Sequence, residues 1–212
     1  MTDGNKLDRE FYLCNALELS EKLLGKTLVH TVDGVNIGGV ITETEAYMGV
    51  IDKASHAYGG RRTARTETMF MCGGYSYVYL IYGMYCCMNI TANFEGNPEA
   101  VLIRSVVPIY GKEKLYELVK HGSKRRQLPD KFCDLSEKEK LNLSNGPGKL
   151  CIAMGLNRKH NCIDLVKSDE LFVQDDGIRV EDIARKKRVG IDYAEEAAEY
   201  PWRFIANSLI FG

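Results

Sequence analysis

The sequence lacks the segments that mark membrane and secreted proteins. No apolar run is long enough to span a bilayer, and the first residues show no basic-then-apolar pattern of a secretion signal. The seven cysteines are scattered, apart from adjacent Cys86 and Cys87, and form no C-x-x-C pair or His/Cys cluster. This pattern argues against a disulfide framework and a structural zinc site, and it favours a reducing, cytoplasmic setting without membrane or metal partners.

The chain also lacks the excess of positive charge that is typical of nucleic-acid-binding proteins. It has 28 Lys and Arg against 29 Asp and Glu, a net charge of −1. Any contact with nucleic acid must therefore depend on local basic clusters. The length of 212 residues, without a linker or repeat, predicts one domain over residues 1–212, in which residues 1–14 form a loosely ordered lead.

Three common catalytic motifs are absent: G-x-S-x-G, H-E-x-x-H and G-x-G-x-x-G. Their absence argues against a serine hydrolase of the nucleophile-elbow type, a zinc protease and a dinucleotide-binding domain. The segment 146–149 (G-P-G-K) has a superficial likeness to a phosphate-binding loop. Leu143 and Leu150 stand where that loop requires glycine and Ser/Thr, so the match fails.

The most informative stretch is residues 41–49, I-T-E-T-E-A-Y-M-G, which continues the alternating run 35–40 as a β-strand. Side chains two apart on a strand point the same way, so Glu43, Glu45 and Tyr47 share one face. Three interpretations stay open. The face is a solvated strand edge, or one carboxylate is a general base beside an aromatic ring. Alternatively, the carboxylates are an inverting glycosidase pair, about 6.5–7 Å apart along the strand.

Turn and cap residues predict short helices and antiparallel hairpins. Helices are expected over 16–24 and 147–155 behind N-cap residues Asn15 and Asn145, and over 112–121 and 136–141. Hairpins are expected where Asp-Gly turns separate strands, and further strands follow the same alternation. The predicted strands are 27–32 with 35–47, 171–173 with 178–180, and the single strands 100–106 and 202–205.

Two further features are unusual. Tyr75, Tyr77 and Tyr79 alternate along one strand, which fits either a buried aromatic hairpin or a binding surface, and Gly83 predicts a turn. Arg104 lies inside an apolar run, where an unpaired charge is costly, so we expect an anionic partner beside it.

Taken in order, several segments resemble the mammalian-type alkyladenine (3-methyladenine) DNA glycosylase family in its compact bacterial form. They are E-T-E-A-Y-M-G, S-H-A-Y-G-G-R-R-T-A-R, Y-V-Y-L-I-Y-G-M-Y-C-C-M-N-I, V-L-I-R-S, N-G-P-G-K-L-C and R-V-G-I. The resemblance implies an α+β fold, a single domain with a curved, mostly antiparallel, open barrel-like sheet flanked by short helices. The loop 92–99 is slightly longer than the family pattern, and the chain is more acidic than basic relatives.

The activity implied by the resemblance is that of a monomeric, monofunctional DNA glycosylase without metal or cofactor. Such an enzyme flips alkylated or deaminated purines out of double-stranded DNA in base excision repair. It hydrolyses the N-glycosidic bond of 3-methyladenine, 7-methylguanine, hypoxanthine or ethenoadenine and has no lyase step. The alternative is a non-catalytic nucleic-acid-binding module that keeps an aromatic base pocket. Glu45 and Arg104 together argue against that alternative, and release of a free base distinguishes the two.

The resemblance also assigns roles to individual residues. Glu45 matches the general base, and Arg104 and the main-chain carbonyl of Ile191 match the groups that hold the water. Tyr82 matches the wedge that fills the gap in the duplex, and Asn89 matches a group against the minor-groove edge of the base, although a turn-capping role fits as well. The remaining matches are Tyr47, Tyr79 and His56 in the base pocket and Met84, Arg61, Thr63, Arg65 and Lys149 at the DNA. The basic clusters near Arg61, Lys124 and Arg185 are candidates for phosphate contacts, and each alone also fits a solvated loop.

Overall fold

A computed structural model describes residues 5–122 and 128–211. The α-helices are α1 Arg9–Tyr12, α2 Ala16–Lys22, α3 Lys112–Gly122, α4 Glu137–Asn142 and α5 Pro147–Ala153. The strands are β1 Asn5–Lys6, β2 Thr27–Val32, β3 Val35–Tyr47, β4 Ser76–Ile81, β5 Tyr85–Ala92, β6 Glu99–Tyr110, β7 Leu171–Asp175, β8 Arg179–Val180, β9 Ile183–Lys186, β10 Arg203–Ala206 and β11 Leu209–Ile210. Short 3-10 helices cover Gly49–Ile51, Tyr58–Gly60, Glu67–Phe70, Phe132–Asp134, Arg158–His160 and Asp192–Glu199.

Nine of these strands form one open sheet in the order β1-β7-β2-β3-β6-β5-β4, to which β10 and β9 are added beside β3. Every described strand pair in it is antiparallel. The remaining two strands, β8 and β11, pair with each other. This arrangement confirms the expected α+β class with an antiparallel sheet that does not close.

Strand β3 is the centre of the sheet and the source of its curvature. Its first half pairs with β2, and its second half lies between β6 and β10. The register against β6 shifts between Gly38 and Gly39, between Ile41 and Glu43 and between Glu43 and Thr44. Such bulges bend a strand and increase its twist. The second half of β3 is therefore enclosed on both sides, which excludes the interpretation of a solvated edge strand.

The two faces of β3 have different neighbours. Thr44 is buried and its hydroxyl donates to the carbonyl of Ser20 in α2 at 2.9 Å. Helix α2 packs against β3 and β6, and α5 packs against β5 and β6, so the helices and the main core cover this face. Because side chains alternate along a strand, Glu43, Glu45 and Tyr47 point to the opposite face.

Two local predictions are wrong. The expected hairpin across residues 171–180 does not form, because β7 pairs instead with β1 and β2, and β8 pairs with β11. The Asp-Gly turn is present, with the Asp175 carboxylate accepting from the Gly177 N–H at 3.0 Å, but the chain diverges after it. Helix α5 is capped by Gly146 with φ 110°, while Asn145 forms a β-bridge with Ser105.

The described part of the N-terminal segment, from Asn5 onward, is packed against the domain. Asn5 and Lys6 add a strand beside β7, and Asp8 caps α1. Tyr12 is completely buried, and Arg9 forms an ion pair with Asp164. No helix within the described ranges is long and apolar enough to cross a membrane. All seven cysteines are free thiols.

Candidate active site

A cavity of about 200 Å³ opens on the sheet face that carries Glu43 and Tyr47. It is smaller than the roughly 300–1,000 Å³ of pockets for drug-sized ligands, so it suits one flat ring system better than a whole nucleotide. The structure brings most of the predicted pocket residues to it. Its lining includes Tyr47, His56, Arg65, Tyr79, Tyr82, Asn89, Arg104 and Ile191.

Glu45 lies directly behind the cavity wall and is completely buried. Its Oε1 accepts from the main-chain N–H of Val189 at 2.8 Å and lies 3.2 Å from Nη1 of Arg104. Its Oε2 accepts from the hydroxyl of Tyr47 at 3.0 Å. These three partners all line the cavity. A carboxylate offers about four acceptor positions, so described residues fill three of them.

The environment of Glu45 changes its proton affinity. Burial raises its pKa above the ordinary value, while the Arg104 charge, the Val189 N–H and the Tyr47 hydroxyl act in the opposite direction. A carboxylate with a raised pKa is a stronger proton acceptor once it is ionised, which suits a general base. The contact with Val189 could not be predicted from the sequence, because a main-chain donor does not depend on residue identity.

Arg104 has the anionic partner that its position in an apolar run predicted. Its Nε donates to Glu43 at 2.8 Å and its Nη1 faces Glu45. Glu43 also accepts from Nη1 of Arg203 at 3.0 Å. Both carboxylates engage the same guanidinium, so neither is the free acid that protonates a leaving group in an inverting glycosidase. The arrangement argues against the interpretation of an inverting pair.

Aromatic rings form the opposite wall of the cavity. The rings of His56 and Tyr79 meet edge to face with centroids 4.7 Å apart, and Tyr77 lies 5.3 Å from Tyr79. Burial lowers the pKa of His56 to about 4, with help from the charges of Arg65 and Arg61, so the ring is neutral at pH 7. Nε2 of His56 lies 3.4 Å from Nη2 of Arg65, which can only donate, so Nδ1–H donates to the Tyr77 hydroxyl at 2.9 Å.

The guanidinium of a buried arginine packs against the ring of Tyr47. This residue, Arg188, ends the basic run 185–188, which the sequence predicted to be a surface cluster. The guanidinium of Arg188 lies 4.9 Å from the ring centroids of both Tyr47 and Trp202. It forms a bidentate, fully buried ion pair with Asp52. Arg188 is therefore unavailable for a phosphate contact. Its place in the family segment R-V-G-I is the sequence feature that distinguishes it from its exposed neighbours.

Asn89 lies in the middle of β5 with 3% of its surface exposed, which excludes the turn-capping interpretation. Its Nδ2 donates to the main-chain carbonyl of Tyr77 on β4 at 3.0 Å, and the side chain lines the cavity. The hydrogen bond fixes the orientation of the amide toward the aromatic wall.

The predicted turn at Gly83 forms the tip of the β4–β5 hairpin beside the cavity. Tyr82 and Gly83 both have positive φ, 51° and 69°, and the N–H of Met84 donates to the Ile81 carbonyl at 3.1 Å. Tyr82 is 81% exposed and Met84 is 62% exposed. Positive φ at two successive positions is typical of tight hairpin turns, although it is uncommon for a residue as bulky as tyrosine.

The predicted DNA-contacting residues are spread around the cavity. Arg61 and Thr63 are exposed on the loop that continues its rim, and Arg65 lies over the Tyr79 ring at 5.0 Å. Lys149 is exposed on α5 and donates to Asn142 at 2.7 Å.

The basic cluster near Arg185 gives a different result. Arg185 and Lys187 pair with Glu21 and Glu199, which makes them less available for phosphate. The cluster at Lys124 lies outside the described residues.

The main-chain carbonyl of Ile191, the predicted third contact of the water, also belongs to this rim. It accepts from the N–H of Ala194 at 2.9 Å, where a 3-10 helix begins, and Ile191 itself lines the cavity. A carbonyl oxygen has a second lone pair, so this bond leaves an acceptor position.

The segments that line this cavity lie within the part of the chain that matches known proteins. The family model described as Methylpurine-DNA glycosylase matches residues 10–209. A protein of Clostridium acetobutylicum with the provisional name 3-methyladenine DNA glycosylase is 49% identical over 199 residues, 94% of this chain and 93% of that protein. Relatives with the same provisional name occur in Clostridium perfringens, 46% identical over 201 residues, and Alkaliphilus oremlandii, 47% identical over 199 residues, each covering 94% of both chains.

The match extends over nearly the whole chain and includes every strand of the main sheet except β1. It therefore covers the carboxylate, the arginines and the aromatic wall as one unit. On this basis the chain belongs to the methylpurine-DNA glycosylase family.

Proposed function

We propose that the protein is a monofunctional DNA glycosylase of base excision repair. Its substrates are alkylated or deaminated purines in double-stranded DNA: 3-methyladenine, 7-methylguanine, hypoxanthine and ethenoadenine. The observation that supports this most strongly is the buried Glu45, held by Arg104 immediately behind an aromatic cavity sized for one base. The family match and the names of the relatives support the same reaction class.

The damaged base enters the cavity between Tyr47 on one side and Tyr79 with His56 on the other. Stacking of a base on aromatic rings contributes roughly 1–3 kcal/mol per base. A base with a positive charge, such as 3-methyladenine or 7-methylguanine, gains a cation–π contribution. Neutral hypoxanthine and ethenoadenine depend on stacking and hydrogen bonds. The amide of Asn89 faces the minor-groove edge, where a guanine amine would clash with it.

Base extrusion costs a few kcal/mol, because stacking and pairing are lost. The exposed ring of Tyr82 at the hairpin tip occupies the gap left in the duplex, and Met84 contacts the neighbouring bases. Arg61, Thr63, Arg65 and Lys149 contact the backbone of the same duplex, and the protein acts as a monomer in the cytoplasm.

Hydrolysis proceeds with a water that attacks C1′ of the sugar. Glu45 takes a proton from that water, and Arg104 and the carbonyl of Ile191 hold its oxygen. The C1′–N bond breaks and its electron pair leaves with the base. A cationic base departs neutral, and a neutral base departs as an anion that takes up a proton from solvent. The negative charge of Glu45 stabilises oxocarbenium character at C1′. The groups that take part are protein side chains, one carbonyl and water.

The test is release of free base from duplexes that carry one lesion each, with undamaged duplex as the control. We expect release from the four substrates named above, and an abasic strand that stays intact until alkali is added. Strand cleavage without alkali would contradict the monofunctional mechanism. Tight binding to lesion duplexes without any base release would show a non-catalytic base-binding module instead.

A further inference from the structure

Three side chains with metal-ligating atoms meet at a second place, remote from the cavity. His30 lies on β2, His160 in the 3-10 helix Arg158–His160, and Glu170 immediately before β7. One ring nitrogen of each histidine and a carboxylate oxygen of Glu170 lie within 4.8 Å of one another. None of the three residues lines the cavity behind which Glu45 lies.

The distances in this cluster suit a shared ion better than direct contact. Each histidine Nε2 is 3.8 Å from Oε1 of Glu170, which is longer than a hydrogen bond. Ligands bound to one tetrahedral zinc ion at about 2.0–2.2 Å lie about 3.3–3.6 Å apart. The Glu170 side chain is 60% exposed, so a small rotation of it shortens its two distances, while the separation of up to 4.8 Å within the cluster requires a small shift of the histidine rings as well.

His30 provides a separate indication of a missing ligand. Its Nδ1 lies 2.6 Å from the carbonyl of Met154, which can only accept, so Nδ1 carries the proton and Nε2 carries a lone pair. Nε2 is buried and has no hydrogen-bond partner among the described residues. Metal-bound histidines usually donate their other N–H to such a carbonyl, which fixes the ring orientation.

His160 can take the same role through a change of tautomer. Its Nδ1 lies 2.9 Å from the N–H of Asn157 and 3.2 Å from the carbonyl of the same residue. In the structure Nδ1 accepts from the Asn157 N–H. When Nε2 binds an ion, the proton moves to Nδ1, which then donates to that carbonyl, and the Asn157 N–H gives up this acceptor. The rings of His30 and His160 already meet edge to face, with centroids 4.6 Å apart.

We propose that His30, His160 and Glu170 bind one divalent transition-metal ion of the zinc type, with water as the fourth ligand. Two imidazole nitrogens and one carboxylate oxygen form a donor set that such ions accept. The sequence contains no local His/Cys cluster, so a structural zinc site was not expected, and the fold assembles this one from three distant segments.

The ion would join β2 and β7 to the loop that supports β4. The carbonyl of His160 accepts from the Ser76 hydroxyl at 2.5 Å, and Asn161 accepts from the N–H of Val78 at 2.9 Å. Strand β4 carries two tyrosines of the cavity wall and leads to the hairpin tip. The site is therefore a brace for the substrate-binding strand, and it takes no part in the chemistry.

The experiment measures metal binding by the full chain after removal of metals with a chelator. Zinc content, the visible spectrum with Co²⁺, and Tm are recorded for wild type, Glu170→Gln and His160→Gln. His121→Gln and Asp169→Asn are matched controls, since both residues are exposed and lie outside the cluster. We expect one equivalent of metal in wild type and both controls. Zinc at about 100 times its Kd should raise Tm by roughly 5–10 °C.

Each cluster variant should weaken binding at least about tenfold and lose most of the Tm increase. Metal uptake that is equal in wild type and the cluster variants would overturn the proposal, as would a Co²⁺ spectrum with thiolate charge-transfer bands. No uptake by wild type would overturn it equally.

Discussion

Replacing Glu45 with glutamine removes the proposed proton acceptor while changing the shape of the side chain very little. In the variant, the Val189 N–H still has an amide oxygen to donate to, and the Tyr47 hydroxyl can turn to accept from the new NH2 group. Arg104 keeps its bond to Glu43 at 2.8 Å. The fold and the cavity should therefore persist, and binding to a lesion duplex should stay nearly unchanged.

The rate of excision should fall much further. Loss of a general base costs about 10²–10⁴-fold, which corresponds to about 3–5 kcal/mol at 1.36 kcal/mol for each factor of ten. Glu43→Gln is the matched control. It lies two residues away and contacts the same guanidinium, but it has no place in the proposed chemistry. Arg104 retains Glu45 in that variant, so the excision rate should fall less than about tenfold.

Single-turnover excision with enzyme in excess measures the chemical step without product release, and duplex affinity and Tm are measured on the same preparations. A Glu45→Gln rate within about tenfold of wild type, a difference of about 1.4 kcal/mol, would remove Glu45 from the role of base. Equal losses in the two variants would assign the effect to the ion-pair network around Arg104.

Four other predictions follow from the described contacts. Tyr82→Ala should weaken binding to a lesion duplex more than to an abasic single strand, because a wedge helps only where a stack is held open; equal losses would make Tyr82 a general contact. Asn89→Ala should increase excision of normal guanine relative to hypoxanthine, whereas a proportional fall on all substrates with a lower Tm would show that its bond to Tyr77 only holds the sheet. The excision rate should fall as the pH drops through the raised pKa of Glu45, because the base must be ionised. Arg104→Met removes the charge that lowers the pKa of Glu45, so the acid limb of the pH–rate profile should move to higher pH. A shift of that limb to lower pH would contradict the role of Glu45 as the group that titrates. Arg188→Met leaves Asp52 buried without its partner and should destabilise the fold by about 3–5 kcal/mol, measured as a lower Tm. Arg185→Met, at an exposed ion pair, is the control and should change Tm little. Equal effects on Tm in the two variants would contradict the stabilising role of the buried pair.

The features that the sequence predicted correctly are those set by near neighbours in the chain. Asp33-Gly34 gives a two-residue turn with positive φ at both positions, so the β2–β3 hairpin could be assigned with its register. The helix after Asn15 has the predicted cap, and Gly83 marks the hairpin tip. Arg104 was predicted to need an anion from its apolar surroundings alone, and two glutamates surround it.

The features that were missed depend on segments far apart in the chain. Strand β7 pairs across the sheet with β2 instead of with its neighbour in sequence, because β2 offers an unpaired edge that buries β7. Arg188 stands in a run of four basic residues, and its charge pattern alone does not distinguish it from Arg185; only its place in the family segment R-V-G-I does. Its burial follows from Asp52, which lies on another loop and supplies the bidentate partner.

Several arginines are neutralised in buried ion pairs, so the net charge of −1 does not describe the charge of the surface that would meet DNA. Arg104 and Arg203 share Glu43, Arg104 also faces Glu45, and Arg188 pairs with Asp52. Three arginines thus meet three carboxylates in the layer behind the cavity, and this layer contributes no net charge to the surface. The positive charge near the opening comes instead from exposed rim residues, Arg61 and Arg65. With Arg61, Arg65 and Lys149 as the proposed backbone cations of the described residues, the logarithm of the DNA affinity should fall with the logarithm of the salt concentration with a slope of about −3. The hairpin tip and the base cavity then have to supply most of the preference for a damaged site.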